Sequence, residues 1–227
     1  MIAPSNDQDV SRVCELIRET QKKDRRVIVA IAGPPASGKS TLAENVVRRL
    51  NQEGEEGVPN AVLLPMDGYH LDNQILERQG LLARKGAPET FDAIGFCETV
   101  KNLRNTAYKT YHPRFDRNRD LAIANSIDIH PSTSVVVVEG NYLLLEDFPW
   151  ASLRNIFAAT VFVNPPKEVL WDRLHERWLQ YGFSPEHAHL KVAENDMVNA
   201  EIVIENSTGA DLEILNGKFQ CGDKLAL

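Results

Sequence analysis

Cysteine is scarce in this chain of 227 residues, and neither a long apolar run nor a surplus of positive charge is present. The three cysteines, Cys14, Cys97 and Cys221, form no C-x-x-C pair and have no histidines at zinc-ligand spacing, so we expect reduced thiols in a cytoplasmic protein. No run approaches the roughly 20 apolar residues that span a bilayer, and the N-terminal segment is polar, so neither export nor membrane insertion is expected. A net charge of -7 argues against nucleic acid as the main partner, because that binding needs a basic face.

Length and composition fit one α/β domain. Hydrophobic residues make up 43% of the chain and charged residues 25%, both of which are ordinary for a globular protein. A chain of this size can bury a continuous core without help from a metal or disulfides. We therefore predict a single domain over residues 1–227, with a core at 26–205 and a C-terminal extension at 206–227. The sequence leaves the oligomeric state open, a homodimer included.

Short apolar segments separated by helical patterns indicate the fold. We predict five buried strands, at residues 27–32, 61–65, 135–138, 160–163 and 201–204. Continuous apolar strands that alternate with helices are typical of a doubly wound, mostly parallel sheet. Residues 121–129 instead alternate apolar and polar side chains, so we expect them to pair with residues 108–111 in a small antiparallel hairpin beside the sheet.

The segment after the first strand has the full pattern G-x-x-x-x-G-K-[ST], from Gly33 to Ser40. Glycines stand where a Cβ would obstruct a polyphosphate, and the N-terminus of the following helix adds partial positive charge. We expect Lys39 to reach the β- and γ-phosphates of a nucleotide and the Ser40 hydroxyl to bind Mg²⁺. The predicted nucleotide-binding residues of this P-loop are Gly33, Ala36, Ser37, Gly38, Lys39, Ser40 and Thr41.

Two carboxylates follow two other predicted strands, Asp67 after the second and Glu139 after the third. In open α/β sheets the ligand lies beyond the carboxyl ends of the strands, so both are candidates for chemistry. Phosphoryl transfer needs one carboxylate to accept the proton of the attacking hydroxyl and another to organise the metal. We assign Asp67 as the base and Glu139 to the metal, through water. Because the two roles could be exchanged, Asp67 is also a candidate metal ligand beside Ser40 and Glu139.

Residues 167–180 have apolar side chains at helical spacing, and Arg173 and Arg177 lie four residues apart on a neighbouring face. Like charges at this spacing repel each other by a few tenths of a kcal/mol unless an anion lies between them. We predict a helical lid whose two arginines stabilise the transferring phosphoryl group, as catalytic residues together with Lys39 and Asp67. The alternative is ordinary surface pairing with Asp172 or Glu176.

Taken together, the motifs resemble the phosphoribulokinase, uridine kinase and pantothenate kinase family of P-loop kinases. The resemblance is carried by the P-loop, residues 66–70 and 113–116, a strand that ends in Glu139, and the two lid arginines. It implies that ATP and Mg²⁺ are the cofactors and that Asp67 is the catalytic base. It also implies that Glu139 helps to hold Mg²⁺ and that the lid arginines stabilise the charge of the leaving group. Within the family the chain looks most like bacterial kinases associated with fructose transport. Residues 115–120 depart from the uridine kinase pattern.

The predicted function is transfer of the γ-phosphate of ATP to a hydroxyl of a small polar metabolite, either a sugar such as fructose or an alcohol like a nucleoside or pantothenate. Asn206, beyond the last predicted strand, is a candidate for adenine. The two alternatives are an ATPase or nucleotide switch that uses water, although no N-K-x-D is present, and a nucleotide sensor without chemistry. Candidate acceptor residues are Tyr69, His70, Arg84, Lys85, Tyr111, His112, Arg114 and Asp116.

Overall fold

A parallel sheet of five strands forms the centre of the protein, in the order β2-β5-β1-β6-β7. The computed structural model describes residues 7–20, 26–52, 60–104 and 107–215, so Cys221 and most of the predicted C-terminal extension lie outside the described residues. The strands, numbered along the chain, are β1 (Val27–Ala32), β2 (Ala61–Pro65), β3 (Thr110–Asp116), β4 (Leu121–Ile129), β5 (Val135–Gly140), β6 (Ala159–Val163) and β7 (Leu212–Ile214).

Helices cover both faces of this sheet. Buried side chains of the first two helices pack on one face, and a second cluster, which includes the fourth helix, packs on the other. The central strand β1 is therefore buried at all six positions, which explains its continuous apolar run. The helices are α1 (Asp7–Thr20), α2 (Lys39–Gln52), α3 (Asn73–Gln79), α4 (Ala93–Leu103), α5 (Lys167–Gln180), α6 (Pro185–Lys191) and α7 (Met197–Asn206), with a π-helical turn at Val192–Asp196 between the last two. The predicted doubly wound α/β fold is confirmed.

Strands β3 and β4 form a separate antiparallel hairpin, which runs from Thr110 opposite Ile129 to Asp116 opposite Leu121 with a register shift between His112 and Arg114. The predicted hairpin is therefore confirmed, although its first strand is Thr110–Asp116 rather than residues 108–111. The helix at 167–180 is also confirmed as α5, and Ser184 caps the next helix by accepting a hydrogen bond from the His187 N–H. None of the described helices is long and apolar enough to cross a bilayer.

The strand predicted at residues 201–204 is wrong, because these residues belong to α7. Their β-branched side chains favour a strand locally. However, Ala200 and Val203 are buried at helical spacing, and Ala200 packs in a cluster with Leu170 and Leu174 of α5. Tertiary packing of this face therefore overrides the local preference. The fifth strand of the sheet is instead β7, a three-residue strand that pairs with β6.

Candidate active site

The P-loop between β1 and α2 adopts a backbone that side chains rarely allow. Gly38 has a φ of +96° and Ala36 a φ of 62°, both in the left-handed region. A Cβ on Gly33 would lie 2.4 Å from the carbonyl oxygen of Val163 in β6, so only glycine fits there. Strained backbone of this kind, at roughly 1–3 kcal/mol per residue, is concentrated in ligand-binding loops. The loop therefore has the geometry of an anion cradle at the N-terminus of α2.

Ser37 tests whether this cradle fits a nucleotide. Its side chain is fully buried, and Oγ has no hydrogen-bond partner among the described residues. Leaving a buried hydroxyl unsatisfied costs about 1–3 kcal/mol, so such a position needs an explanation. A phosphate oxygen held in the loop would accept the missing hydrogen bond. The residues present therefore fit a polyphosphate.

Lys39, Ser40 and Glu139 meet at the carboxyl end of β5. Ser40 Oγ donates to Glu139 Oε1 at 3.1 Å, and Lys39 Nζ lies 3.6 Å from the same oxygen. Lys39 Nζ also donates to the carbonyl of Pro34 at 3.4 Å. Strand β5 is the immediate neighbour of β1, with Ile31 opposite Glu139, which brings the carboxylate to the loop. The three side chains predicted for phosphate and metal are thus in one group.

Burial dominates the electrostatics of this group. It raises the pKa of the Glu139 carboxyl, and the ammonium of Lys39 opposes the rise while the carboxylate of Asp67 adds to it. It lowers the pKa of Lys39, against the attraction of Glu139 and Asp67. A hydroxyl and a carboxylate oxygen are the hard ligands that Mg²⁺ prefers, and Mg²⁺ commonly keeps waters and phosphate oxygens in its other positions. Ser40 and Glu139 therefore fit a magnesium ion held mainly by a nucleotide.

Asp67 lies in the 3₁₀ turn Met66–Tyr69 that directly follows β2. Its Oδ2 atom lies 2.5 Å from Nη2 of Arg117. Burial alone would raise the pKa of Asp67, but the positive charge of Arg117, together with smaller contributions from Lys39 and Arg177, holds this pKa below its usual value. Asp67 is therefore an anion near neutral pH, ready to receive a hydrogen bond from a hydroxyl.

Helix α5 contacts the P-loop through Arg173. Arg173 Nη1 donates to the carbonyl oxygens of Ala36 and Ser37, both at 3.1 Å. Burial lowers the pKa of Arg177. The positive charge of Arg177 in turn lowers the pKa values of Lys39 and Asp67. Both arginines of the predicted lid therefore lie on the side of the helix that faces the site.

His70 has a defined tautomer beside Asp67. Its ring packs between Phe91 and Phe115, with ring centroids 4.0 and 4.7 Å away. Nδ1 lies 2.8 Å from the carbonyl oxygen of Asp67, and because a carbonyl only accepts, Nδ1 carries the hydrogen. Burial lowers the pKa of His70, which favours the neutral ring. Nε2 of the neutral ring then carries no hydrogen and can only accept a hydrogen bond.

Other predicted acceptor residues make contacts of their own. Arg84 donates to the side-chain oxygens of Asn195 and Asn199 at 2.7 and 3.1 Å, so it holds the π-helical turn and α7. Tyr69 packs edge-on against Phe96, with ring centroids 5.0 Å apart. Lys85 forms an ion pair with Asp120 at 2.8 Å. These contacts do not test a role at the substrate, and the substrate roles of these residues remain predictions.

The remaining candidate acceptor residues lie at different positions along the first strand of the hairpin. Tyr111 is 57% exposed near its start, and the buried His112 ring contacts Thr110 Oγ1 at 2.8 Å. Arg114 lies opposite Ile123 in the middle of the hairpin. The carboxylate of Asp116 accepts hydrogen bonds from backbone N–H groups of the turn that follows β3. A role of these residues at the acceptor is again a prediction.

Two site residues differ from the sequence predictions: Arg117 was not predicted, and Asn206 does not follow a strand. Arg117 lies in the turn between β3 and β4, and a run of charges over residues 115–120 was its only signal. Asn206 ends α7 rather than a strand, and its Nδ2 donates to the carbonyl of Ile202. The strand end on which its adenine role depended does not exist, so that role is a prediction without this support.

Comparisons with known proteins agree with this geometry. The chain matches the model of the phosphoribulokinase / uridine kinase family over residues 28–204. It is 34% identical over 194 residues to "Uncharacterized protein YggC" of Escherichia coli (strain K12), which covers 86% of this chain and 79% of that protein. It is 31% identical over 216 residues to "Putative uridine kinase C227.14" of Schizosaccharomyces pombe, which covers 92% and 89%.

A solved structure is also similar to this chain. A chain from Silicibacter sp. TM1040, described as a "putative fructose transport system kinase", superimposes with a TM-score of 0.82 at 38% identity. The match covers 90% of this chain and 98% of that chain. The phosphate cradle, the paired strand-end acids and the arginines of α5 occur in the segment that the family model covers. The chain therefore belongs to the phosphoribulokinase / uridine kinase family, and it is a kinase that uses ATP to phosphorylate an alcohol group of a small molecule.

Proposed function

We propose that the protein transfers the γ-phosphoryl group of ATP, with Mg²⁺, to a hydroxyl of a small polar metabolite in the cytoplasm. The observation that carries this proposal is the pair of strand-end carboxylates around Lys39. Glu139 contacts the side chains of Lys39 and Ser40. Pro65 of β2 lies opposite Glu139, and Asp67 follows Pro65 by two residues. One acid is thus engaged with the nucleotide side of the site and the other is left for the acceptor.

The contacts of each acid support separate roles. Glu139 accepts the hydrogen bond of Ser40, so it belongs to the metal side, and a bound Mg²⁺ would neutralise charge on the phosphates there. The carboxylate of Asp67 pairs with Arg117 of the hairpin turn, and the backbone carbonyl of Asp67 accepts a hydrogen bond from His70. We assign Asp67 to accept the acceptor's hydroxyl proton and Lys39, Arg173 and Arg177 to stabilise the phosphoryl oxygens.

Neutral hydroxyls suit the acceptor side of Asp67. The bare Nε2 of His70 can accept one hydroxyl hydrogen bond while Asp67 accepts another, so a polyol satisfies both groups. Fructose is the first candidate, since the Silicibacter protein of 38% identity is described as a fructose transport system kinase. Uridine follows from the relative in S. pombe, and pantothenate from a pantothenate kinase of Leifsonia xyli that is 32% identical over 119 residues.

An ADP-release assay tests this function. Purified full-length protein is incubated with ATP and fructose, uridine or pantothenate, with and without Mg²⁺, and the phosphorylated product is identified by mass spectrometry. We expect ADP release that needs Mg²⁺ and increases in the presence of one acceptor class. Mg²⁺-dependent ADP release at the same rate with and without every acceptor would instead support hydrolysis by water. ATP binding without any turnover would support a nucleotide sensor and would contradict the proposed kinase.

A further inference from the structure

Arg117 connects the hairpin to the candidate base. It is the first residue after β3, and its Nη2 atom lies 2.5 Å from Asp67 Oδ2 across 50 positions of sequence. The backbones of the two segments also touch, since a Cβ on Gly68 would lie 2.4 Å from the carbonyl oxygen of Pro113 in β3. The turn that carries Asp67 and the strand that leads to Arg117 therefore pack directly on each other.

The turn that holds Arg117 is stabilised from within. The Oδ1 atom of Asp116 accepts hydrogen bonds from the backbone N–H groups of Asn118 at 3.0 Å and Arg119 at 3.1 Å. Such side-chain bonds to the following backbone fix a turn locally. The α-carbon of Arg117 thus has a defined place before any ligand binds.

The far end of the same turn is fixed by α3 and the segment after it. Asp120, at a φ of 54°, receives the Lys85 ammonium at 2.8 Å and the side-chain amide of Asn73 at 2.9 Å. Lys85 Nζ also donates to the Asn73 side-chain oxygen at 2.6 Å. Two polar side chains from outside the hairpin, Lys85 and Asn73, therefore hold a left-handed residue of the turn in place.

We propose that Arg117 is a positioning residue: it holds Oδ2 of Asp67 so that Oδ1 is presented to the hydroxyl of the acceptor. Within the part of the chain that the structure describes, no side chain or backbone group bonds Oδ1. The inference rests on the proposed kinase function. It assigns to the hairpin a part in orienting the base, beyond any contact that the hairpin makes with the acceptor.

The chemistry of the step is compatible with this arrangement. The acceptor oxygen forms a bond to the γ-phosphorus, the bond from that phosphorus to the bridging oxygen of ADP breaks, and the hydroxyl proton passes to Asp67 Oδ1. Arg117 neither gives nor takes a proton. Its guanidinium remains on Oδ2 and restricts the rotation of the carboxylate. Since misplacement of a reacting group by about 1 Å can cost about 10²-fold in rate, such a restriction has measurable consequences.

The test compares kcat and KM of Arg117→Ala and Arg117→Lys with those of the wild type, using the acceptor that the ADP-release assay identifies. Arg119→Ala is the matched control, because Arg119 belongs to the same turn, is 72% exposed and pairs with Asp116 rather than Asp67. We expect Arg117→Ala to lower kcat by about 10²-fold with little change in the KM values of acceptor and ATP. Arg117→Lys should recover part of the loss, and Arg119→Ala should stay within twofold of wild type.

A double substitution shows whether Arg117 acts through Asp67. If it does, Asp67→Asn with Arg117→Ala turns over no more slowly than Asp67→Asn alone, because the base that Arg117 orients is already lost. Guanidinium ion at low concentration should also restore part of the activity of Arg117→Ala, while methylammonium and sodium at equal ionic strength should not. The side chain of Arg117 is 56% exposed, so the small cation can reach its place.

Three outcomes would overturn the inference. One is wild-type turnover in Arg117→Ala. Another is a rise in the acceptor KM with kcat unchanged, which would make Arg117 a contact of the acceptor. The third is that the losses in turnover caused by Arg117→Ala and Asp67→Asn add in full in the double variant. Absence of any acceptor-dependent turnover by the wild type would contradict the proposed function itself and this role with it, so the two failures are told apart by the wild-type assay.

Discussion

The hydroxyl of Ser40 donates to Oε1 of Glu139 at 3.1 Å, and this bond joins the first turn of α2 to the carboxyl end of β5. The two residues are 99 positions apart in sequence. Their contact follows from the sheet order, since β5 pairs with β1 and the P-loop continues from β1. One buried carboxylate thereby orients both the hydroxyl of Ser40 and the ammonium of Lys39, 3.6 Å away. The residues predicted to bind the nucleotide and those predicted to bind the metal therefore belong to one arrangement.

Asp67→Asn should preserve ATP binding and remove phosphoryl transfer. The amide has the shape of the carboxylate but cannot accept the acceptor's proton, and general base catalysis typically contributes about 10²–10⁴-fold. ADP release gives the rate, and calorimetric titration with ATP gives the affinity. Turnover equal to that of the wild type would rule out Asp67 as the base and leave Glu139 as the candidate.

Ser37→Ala should weaken ATP binding without harming the fold. The Ser37 hydroxyl is buried without a partner among the described residues, so its removal costs no hydrogen bond in the free protein. With ATP bound, the loss of one hydrogen bond of about 0.5–1.5 kcal/mol corresponds to a few-fold to about tenfold lower affinity. Calorimetric titration and thermal unfolding measure the two effects.

Ser152→Ala is the matched control for this substitution. The Oγ atom of Ser152 is also buried, but it lies beside Cys97 in the 3₁₀ helix Trp150–Leu153 rather than in the P-loop. Its replacement should leave ATP affinity unchanged. Equal ATP affinity of Ser37→Ala and the wild type would show that no phosphate oxygen reaches Ser37.

Gly33→Ala should destabilise the protein. The added methyl group would lie 2.4 Å from the carbonyl oxygen of Val163, a backbone atom held in the sheet, and overpacking of this kind costs about 1–3 kcal/mol in the free energy of unfolding. Gly209→Ala, where no atom lies within 4 Å, is the control and should change this free energy by less than about 0.5 kcal/mol. Urea unfolding measures both. Equal stability of the two variants would contradict the close packing of the P-loop on β6.

His112 should make the protein less stable in mild acid. Burial lowers the pKa of His112 below the usual value, and the nearby charge of Arg26 adds to this effect. The unfolded chain therefore binds a proton near pH 6.5 that the folded chain resists, so the free energy of unfolding falls as pH drops from about 7 to about 5.

His112→Gln should reduce this slope, measured as melting temperature against pH at constant ionic strength. An identical slope in both proteins would show that His112 takes up its proton in the folded state. The pKa of His70 is lowered in the same direction, so some slope should persist in the variant.

Much of the site could be predicted from sequence because its signals are local. The P-loop needs glycine and lysine at fixed spacing between a strand and a helix, and this spacing is written into residues 33–41. Asp67 and Glu139 could be grouped because parallel strands bring their carboxyl ends to one edge of a sheet. The spacing of Arg173 and Arg177 on α5 likewise follows from the helical period alone.

Other features depended on contacts between distant segments. The run at residues 201–204 has strand-like side chains, but burial of Ala200 and Val203 at helical spacing makes it part of α7. Arg84 looked suited to an acceptor, yet Asn195 and Asn199 take its hydrogen bonds. No local pattern shows which polar partner a long side chain will meet.

By itself the sequence determined the fold class, the P-loop and the pair of strand-end acids, because these depend on backbone conformation, apolar periodicity and the direction of parallel strands. Only the tertiary structure decided that Arg117 meets Asp67, that His70 presents a bare Nε2 and that α7 replaces a strand. These outcomes depend on how a hairpin and a helix pack against the sheet, and packing is a property of the whole chain.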